Sequence, residues 1–266
     1  VKSILMFLLI FQALALGSAQ DKVTLTGSST IAPMVSDFGK AFEANHPGIR
    51  IDVQSGGSGR GITDARQGLA DLGMVSRSAK DDEKDLKFFT IALDGVCIIL
   101  NKANKLESLS EQQVIDIYTG KITNWKEIGG KDAKITVVNK AEGRSTLELF
   151  THHFKLKNSD IKASVVIGDN QQGIKTVAGN PNAIGYVSVG SAEYDSKHGV
   201  KIKLLPMKGV LASTENILNR TFPLSRPLNL VAKSEPEGVV KEFLQFVLSK
   251  DANAIIKDQF FVPLAK

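Results

Sequence analysis

Four short turns of this chain crowd together the side chains that could hold an anion. They are Gly27–Thr30 (GSST), Ser55–Gly61 (SGGSGRG), Val75–Ser78 (VSRS) and Asn139–Thr146 (NKAEGRST). Hydroxyls donate hydrogen bonds. A helix that starts beside them adds unpaired N–H groups and partial positive charge, and together these suit an oxyanion. Ser28, Ser29 and Thr30 are equally good residues with which to start a helix, so the first turn alone leaves a structural and a binding reading open. In the second turn the glycines let backbone approach a ligand and aim successive N–H groups at it. GGSGRG is only a near miss for a dinucleotide fingerprint, and no Walker pattern is present. Ser28 to Thr30 have no His or acidic partner placed to make one of them a nucleophile, so catalysis is not expected. His152-His153 lacks a second histidine at metal-ligand spacing, and neither a metal nor a cofactor is expected.

Elements that would position these turns alternate along the chain. KVTLTG reads as a strand, and IAPMVSDFGKAFEANHP as a helix with Met34, Val35, Phe38 and Phe42 on one face and a stop at Pro47. IRIDVQSG, GITDARQGLA and DLGMVS continue as strand, helix and strand. After the β-rich FFTIALDGVCIILNK, Ser110 and Gln113 have capping-box spacing for another helix. A second series follows: KITVVNK, STLELFTHHF, ASVVIG, NQQGIKTVAGNP and AIGYVSVG, then RPLNLVAK and two closing helices. Repeated βα units predict parallel sheets in an α/β fold of two lobes, with a ligand in the cleft at the strand ends. The expected division is 20–95 for the first part of lobe I, 96–230 for lobe II and 231–266 for the rest of lobe I. Crossings are expected near Gly95–Leu100 and Pro227–Ala232.

Composition narrows the classes. Residues 1–19 carry Lys2, an apolar run from Ile4 to Leu16, and the small residues Gly17 and Ala19, the layout of a secretory signal peptide. The run is short for a membrane span, so export with no stable membrane insertion after cleavage is expected. The 247 residues that follow (266 less 19) suffice for two modest cores. Net charge is +5 with cations spread along the chain, and aromatics are 6%, which argues against nucleic acid as a partner. The single cysteine, Cys97, reads as a small core residue, and Trp125 as packing.

The run from Thr26 to Arg77, with DGVCIILNK, YTGKITNWKEIGG, NPNAIGYVSVG and FPLSRPLNLVAK, resembles the phosphate-binding component of bacterial ABC phosphate importers. The likeness covers essentially the whole chain after the leader. It implies the hinged, two-lobed periplasmic-binding-protein fold (type II). It implies a monomeric, periplasmic transport protein that is no enzyme, with inorganic phosphate and a membrane permease as partners. Sulfate, molybdate or tungstate is the alternative ligand, and an exported phosphatase the alternative from another class. By the same resemblance the anion is held by Ser29, Thr30 and Ile31, by Ser58 and by Ser76. On the other lobe the family's arginine falls on Lys140, and its Ser-Gly-Thr becomes Arg144-Ser145-Thr146. Some relatives carry an aspartate where Ser76 stands, to accept the phosphate proton. For that acceptor the candidates here are Glu142 and Asp71.

Overall fold

The computed structural model describes residues 21–264, and the expected export signal lies outside them. The first series is β1 (Asp21–Gly27), α1 (Ala32–Asn45), β2 (Ile49–Ser55), α2 (Ser58–Gln67) and β3 (Leu72–Val75). The second is β4 (Lys87–Asn101), α3 (Glu111–Tyr118), β5 (Thr136–Lys140), α4 (Ser145–Phe154), β6 (Val165–Ile167), α5 (Asn170–Gly179), β7 (Ala183–Ser188), α6 (Val189–Lys197), β8 (Ile202–Leu204) and α7 (Thr214–Leu218). The chain closes with β9 (Ser225–Ala232), α8 (Gly238–Val247), α9 (Asn253–Asp258) and β10 (Val262–Pro263).

β1 lies between β2 and β3, parallel to both. β9 joins the far side of β3 antiparallel and carries β4 on its other edge. From Val96 onward β4 pairs with β7, which continues through β5 to β6, all three parallel to one another. One long strand therefore belongs to two sheets, and each sheet has its own core. The first core is built on Leu25, Met34, Phe38, Leu72, Leu230 and Phe243. The second is built on Ile99, Tyr118, Trp125, Val138, Phe150 and Tyr186. Each such side chain taken from water contributes about 1.5–3 kcal/mol. This is the two-lobed α/β arrangement that the alternating pattern predicts.

Local signals explain most elements. α1 buries Met34, Val35, Phe38 and Phe42, the stripe read from sequence, with a proline in its first turn. Ser110 and Gln113 form the expected capping box. Trp125 is buried and donates from Nε1 to Asn182 O at 3.0 Å. Cys97 lies in the second core, where burial pushes its thiol well above the ordinary range.

Differences from expectation have physical causes. The helix opened by Ser110 stops at Tyr118, and Trp125–Ile128 forms a separate single turn. AIGYVSVG was expected as one strand; the strand ends at Ser188, whose side chain accepts from Ser191 N–H and starts α6. α6 buries only Val189, Gly190 and Ala192 among its residues, too little apolar periodicity to read from sequence. The expected break at 230/231 falls inside β9, all of which pairs in the first sheet, from Ser225 opposite Gly95 onward. Among the described residues no helix is long and apolar enough to cross a membrane.

Candidate functional site

The first lobe's donors form one tied network. Gly27 has φ +130°, and a Cβ there would stand 2.4 Å from Met74 O, so only glycine lets the first turn lie against β3. Ser28 N–H then donates to Met74 O at 2.8 Å. The Ser28 hydroxyl donates to Ser76 Oγ at 2.9 Å and accepts from Thr30 N–H at 3.2 Å. Ser58, the first residue of α2, accepts Ser76 N–H at 3.1 Å. α2 is close enough because a Cβ on Gly61 would meet Met74 O at 2.8 Å, which makes this a backbone-on-backbone contact. Ile31 differs from its neighbours: its N–H donates to Ser28 O at 3.2 Å and its side chain is fully buried in the first core.

The second lobe presents charge. Lys140 ends β5, and Arg144, Ser145 and Thr146 form the start of α4. Lys140 is 2% exposed. Its Nζ donates to Asn170 Oδ1 at 3.0 Å, at the start of α5. Burial pushes the Lys140 ammonium down to about 7, assisted by Arg226 and Arg144 and opposed by Asp169. Arg144 Nε and Ser145 Oγ are buried and have no hydrogen-bond partner among the described residues.

These two sets line one small cavity, with Gly57 and Gly168 at its walls. Of the nine residues expected from sequence, Ser29, Thr30, Ser58, Ser76, Lys140, Arg144, Ser145 and Thr146 line it, and Ile31 does not. The starts of α2 and α4 line it directly, and the turns just before α1 and α5 contribute Thr30 and Gly168, so helix N-termini lie close to the same space. No carboxylate lines it. The two acceptor candidates stand elsewhere: Glu142 is exposed and takes Asn158 Nδ2–H at 3.0 Å, and Asp71 is exposed and takes Thr24 N–H at 2.8 Å. The hydroxyls and cations that line the cavity can donate hydrogen bonds to an anion.

Two residues escaped the sequence reading. Arg226 on β9 is 3% exposed and pairs with Asp94 through Nη2 at 2.8 Å and Nε at 3.1 Å. The same guanidinium donates to Ser76 O at 3.3 Å and Thr30 Oγ1 at 3.4 Å on one lobe, and to Thr146 Oγ1 at 3.1 Å on the other. Asn170 likewise spans the cleft, donating from Nδ2 to Thr30 Oγ1 at 3.1 Å. The available signal was a charge inside an apolar strand, LSRPLNL, because a buried charge demands a partner.

Further contacts hold the lobes together around the cavity. Gly59 N–H donates to Gly143 O at 3.1 Å. Gly57 has φ +98°, and a Cβ there would lie 2.6 Å from the same carbonyl. At the rim, Glu148 on α4 pairs with Lys80 at 2.7 Å and Arg77 at 3.1 Å, and Arg77 also pairs with Glu83 at 2.6 Å. His153 is occupied with Glu111 at 2.7 Å, and no group of His, Cys, Asp and Glu among the described residues could hold a metal ion.

Known proteins share this plan. The model of the PBP superfamily domain matches residues 15–251. The phosphate-binding protein PstS of Bacillus subtilis (strain 168) is 30% identical over 251 residues, 92% of this chain and 82% of that protein. A Staphylococcus epidermidis PstS is 32% identical over 244 residues, 86% of this chain and 74% of that protein. Among solved structures, a phosphate ABC transporter substrate-binding protein from Clostridium perfringens, with bound phosphate, superposes with a TM-score of 0.83 at 33% identity, covering 92% of this chain and all of that one. An ABC-type phosphate transport receptor from Vibrio cholerae gives 0.75 at 30% identity over 92% of this chain. With its fold and most of its length in common with them, the chain belongs to the PBP superfamily and, within it, to the PstS family of phosphate-binding proteins.

Proposed function

We propose that this protein captures inorganic phosphate between its two lobes, outside the cytoplasm, and delivers it unchanged to the membrane permease of an ABC importer. The observation that carries the reading is the cavity itself, which offers hydroxyls, helix starts, Lys140 and Arg144 to an anion and no carboxylate against one. The ligand set is Ser29, Thr30, Ser58, Ser76, Lys140, Arg144, Ser145 and Thr146, the residues that line the cavity; Ile31, whose N–H is taken by Ser28 O, supports the turn from the core. The unpartnered Arg144 Nε and Ser145 Oγ fit this role, because a buried polar atom without a partner is costly and an anion supplies one. The protein works as a periplasmic monomer after loss of its leader. The lobes open and close by bending where β4 and the chain leading into β9, at Leu224, pass between the sheets.

Isothermal titration of the phosphate-stripped protein tests this directly. One phosphate per chain is expected, with a smaller radius of gyration by small-angle scattering at saturation. No release of phosphate from a chromogenic ester is expected. A protein that binds no phosphate, or one that hydrolyses the ester and loses that activity when a cavity residue is changed, sinks the reading.

A further inference from the structure

We propose that Lys140 is the proton-linked residue of the cavity: its buried amine, with an amide rather than a carboxylate as hydrogen-bond partner, takes up a proton as a phosphate dianion enters. The inference rests on the phosphate-capture reading and adds to it the group that sets the charge of the site.

The surroundings of Lys140 lead there. Asn170 is its only side-chain hydrogen-bond partner among the described residues, through a neutral oxygen. The loop before α4 brings Arg144, a second cation, and β9 brings Arg226, whose charge is already matched by Asp94. From the start of α5 comes Asp169, whose carboxylate accepts Gln172 N–H at 2.8 Å as the helix cap. From β7 comes the Tyr186 hydroxyl, which accepts Lys140 N–H at 3.2 Å, and burial pushes that phenol up, so it stays neutral. Across the cleft stand the hydroxyls of Ser29 and Thr30. An ammonium held in this way lacks the counter-ion that normally accompanies a buried charge, and burial accordingly brings its ionisation near neutrality. An arginine at this position would hold its charge throughout.

Phosphate also exchanges a proton near neutrality, since the second ionisation of a phosphoryl group lies there. The proton balance then depends on pH. Above neutrality the ligand arrives as hydrogen phosphate dianion and meets a neutral amine; one proton is taken from solvent, and the bound pair is an ammonium facing a dianion. Below neutrality the amine is already an ammonium, the ligand arrives as dihydrogen phosphate, and its proton leaves to solvent. The bound state is the same, and the count of protons exchanged changes sign near neutrality.

The test titrates inorganic phosphate into phosphate-stripped protein at pH 8 and pH 6, each in two buffers of unlike ionisation enthalpy. The difference in heat gives the protons exchanged. Uptake of most of one proton per phosphate is expected at pH 8, and release at pH 6. In Lys140→Arg, binding is expected to survive with the uptake at pH 8 gone and the release at pH 6 retained. Should that variant not fold, Lys140→Met serves, with weaker binding and the same loss of uptake. Binding by the parent at pH 8 without proton uptake overturns the inference, as does uptake that persists when Lys140 is replaced. Absence of phosphate binding at either pH overturns the phosphate reading itself, and this inference with it.

Discussion

The two walls of the cavity are built on opposite principles. The first-lobe wall is neutral and internally satisfied: Ser28, Ser58 and Ser76 hydrogen-bond one another before any ligand enters the account. The second-lobe wall is cationic and leaves Arg144 Nε and Ser145 Oγ without partners. One wall supplies shape and the other supplies charge. A rigid neutral wall fixes donors in place at little electrostatic cost. A charged wall with unmatched polar atoms gains most when an anion arrives, so the drive to bind resides in the second lobe.

Arg226 touches residues of both walls from behind them, and breaking its support should have the largest effect. Asp94→Ala leaves a guanidinium buried without its carboxylate, which costs about 3–5 kcal/mol. Thermal unfolding of the stripped variant should fall sharply, and saturating phosphate should restore part of the loss. A variant as stable as the parent would show that Arg226 is not held by Asp94. Next, the contrast between charge and shape predicts unequal losses of affinity. Arg144→Ala removes a charge-assisted donor worth about 1.5–3 kcal/mol, roughly ten- to a hundredfold. Ser29→Ala removes a neutral donor worth about 0.5–1.5 kcal/mol, roughly two- to tenfold. Equal losses on titration would erase the distinction between the walls.

Paired serines sharpen it further. Ser58→Ala strands the buried Ser76 N–H, so the fold should lose about 1–3 kcal/mol in denaturant melts even without ligand. Ser145→Ala strands nothing, because its hydroxyl has no partner to lose. It should leave the stripped protein as stable as before and weaken only phosphate binding. The opposite ranking would mean that the second wall is tied and the first is not. The smallest effect belongs to the rim. Glu148→Gln breaks pairs with Lys80 and Arg77 at a carboxylate 29% exposed, where such pairs contribute about 0–1 kcal/mol. Phosphate affinity, read by titration, should change by less than about fivefold.

Much of this was legible in the sequence, because the elements are announced locally. Pro33, the Met34–Phe42 stripe and the Ser110/Gln113 cap each act within a few residues, and the turns that follow strands carry their donors with them. What escaped acts at a distance. Arg226 meets Thr30 across 196 residues of chain and Asn170 meets the same threonine across 140, and no periodicity encodes such pairs. The resemblance places Lys140 in the ligand set but says nothing of its depth. The structure buries it at the end of β5, where its Nζ meets Asn170 at the start of α5. Glu142 and Asp71 are acidic and near donor turns in the sequence, yet both are exposed and outside the cavity lining.

The position of β9 sets an order in time. The first sheet reads β2-β1-β3-β9-β4, so a strand made late sits between two made long before. As a chain emerges amino end first, β3 and β4 have no edge to share until Ser225–Ala232 appears. The strands of the second sheet, with its share of β4, are all complete by Leu204. The second sheet can therefore assemble while the first is still waiting for the strand that joins β3 to β4. For that interval the growing chain exposes two unpaired strand edges, the state in which sheets are most prone to join the wrong neighbour.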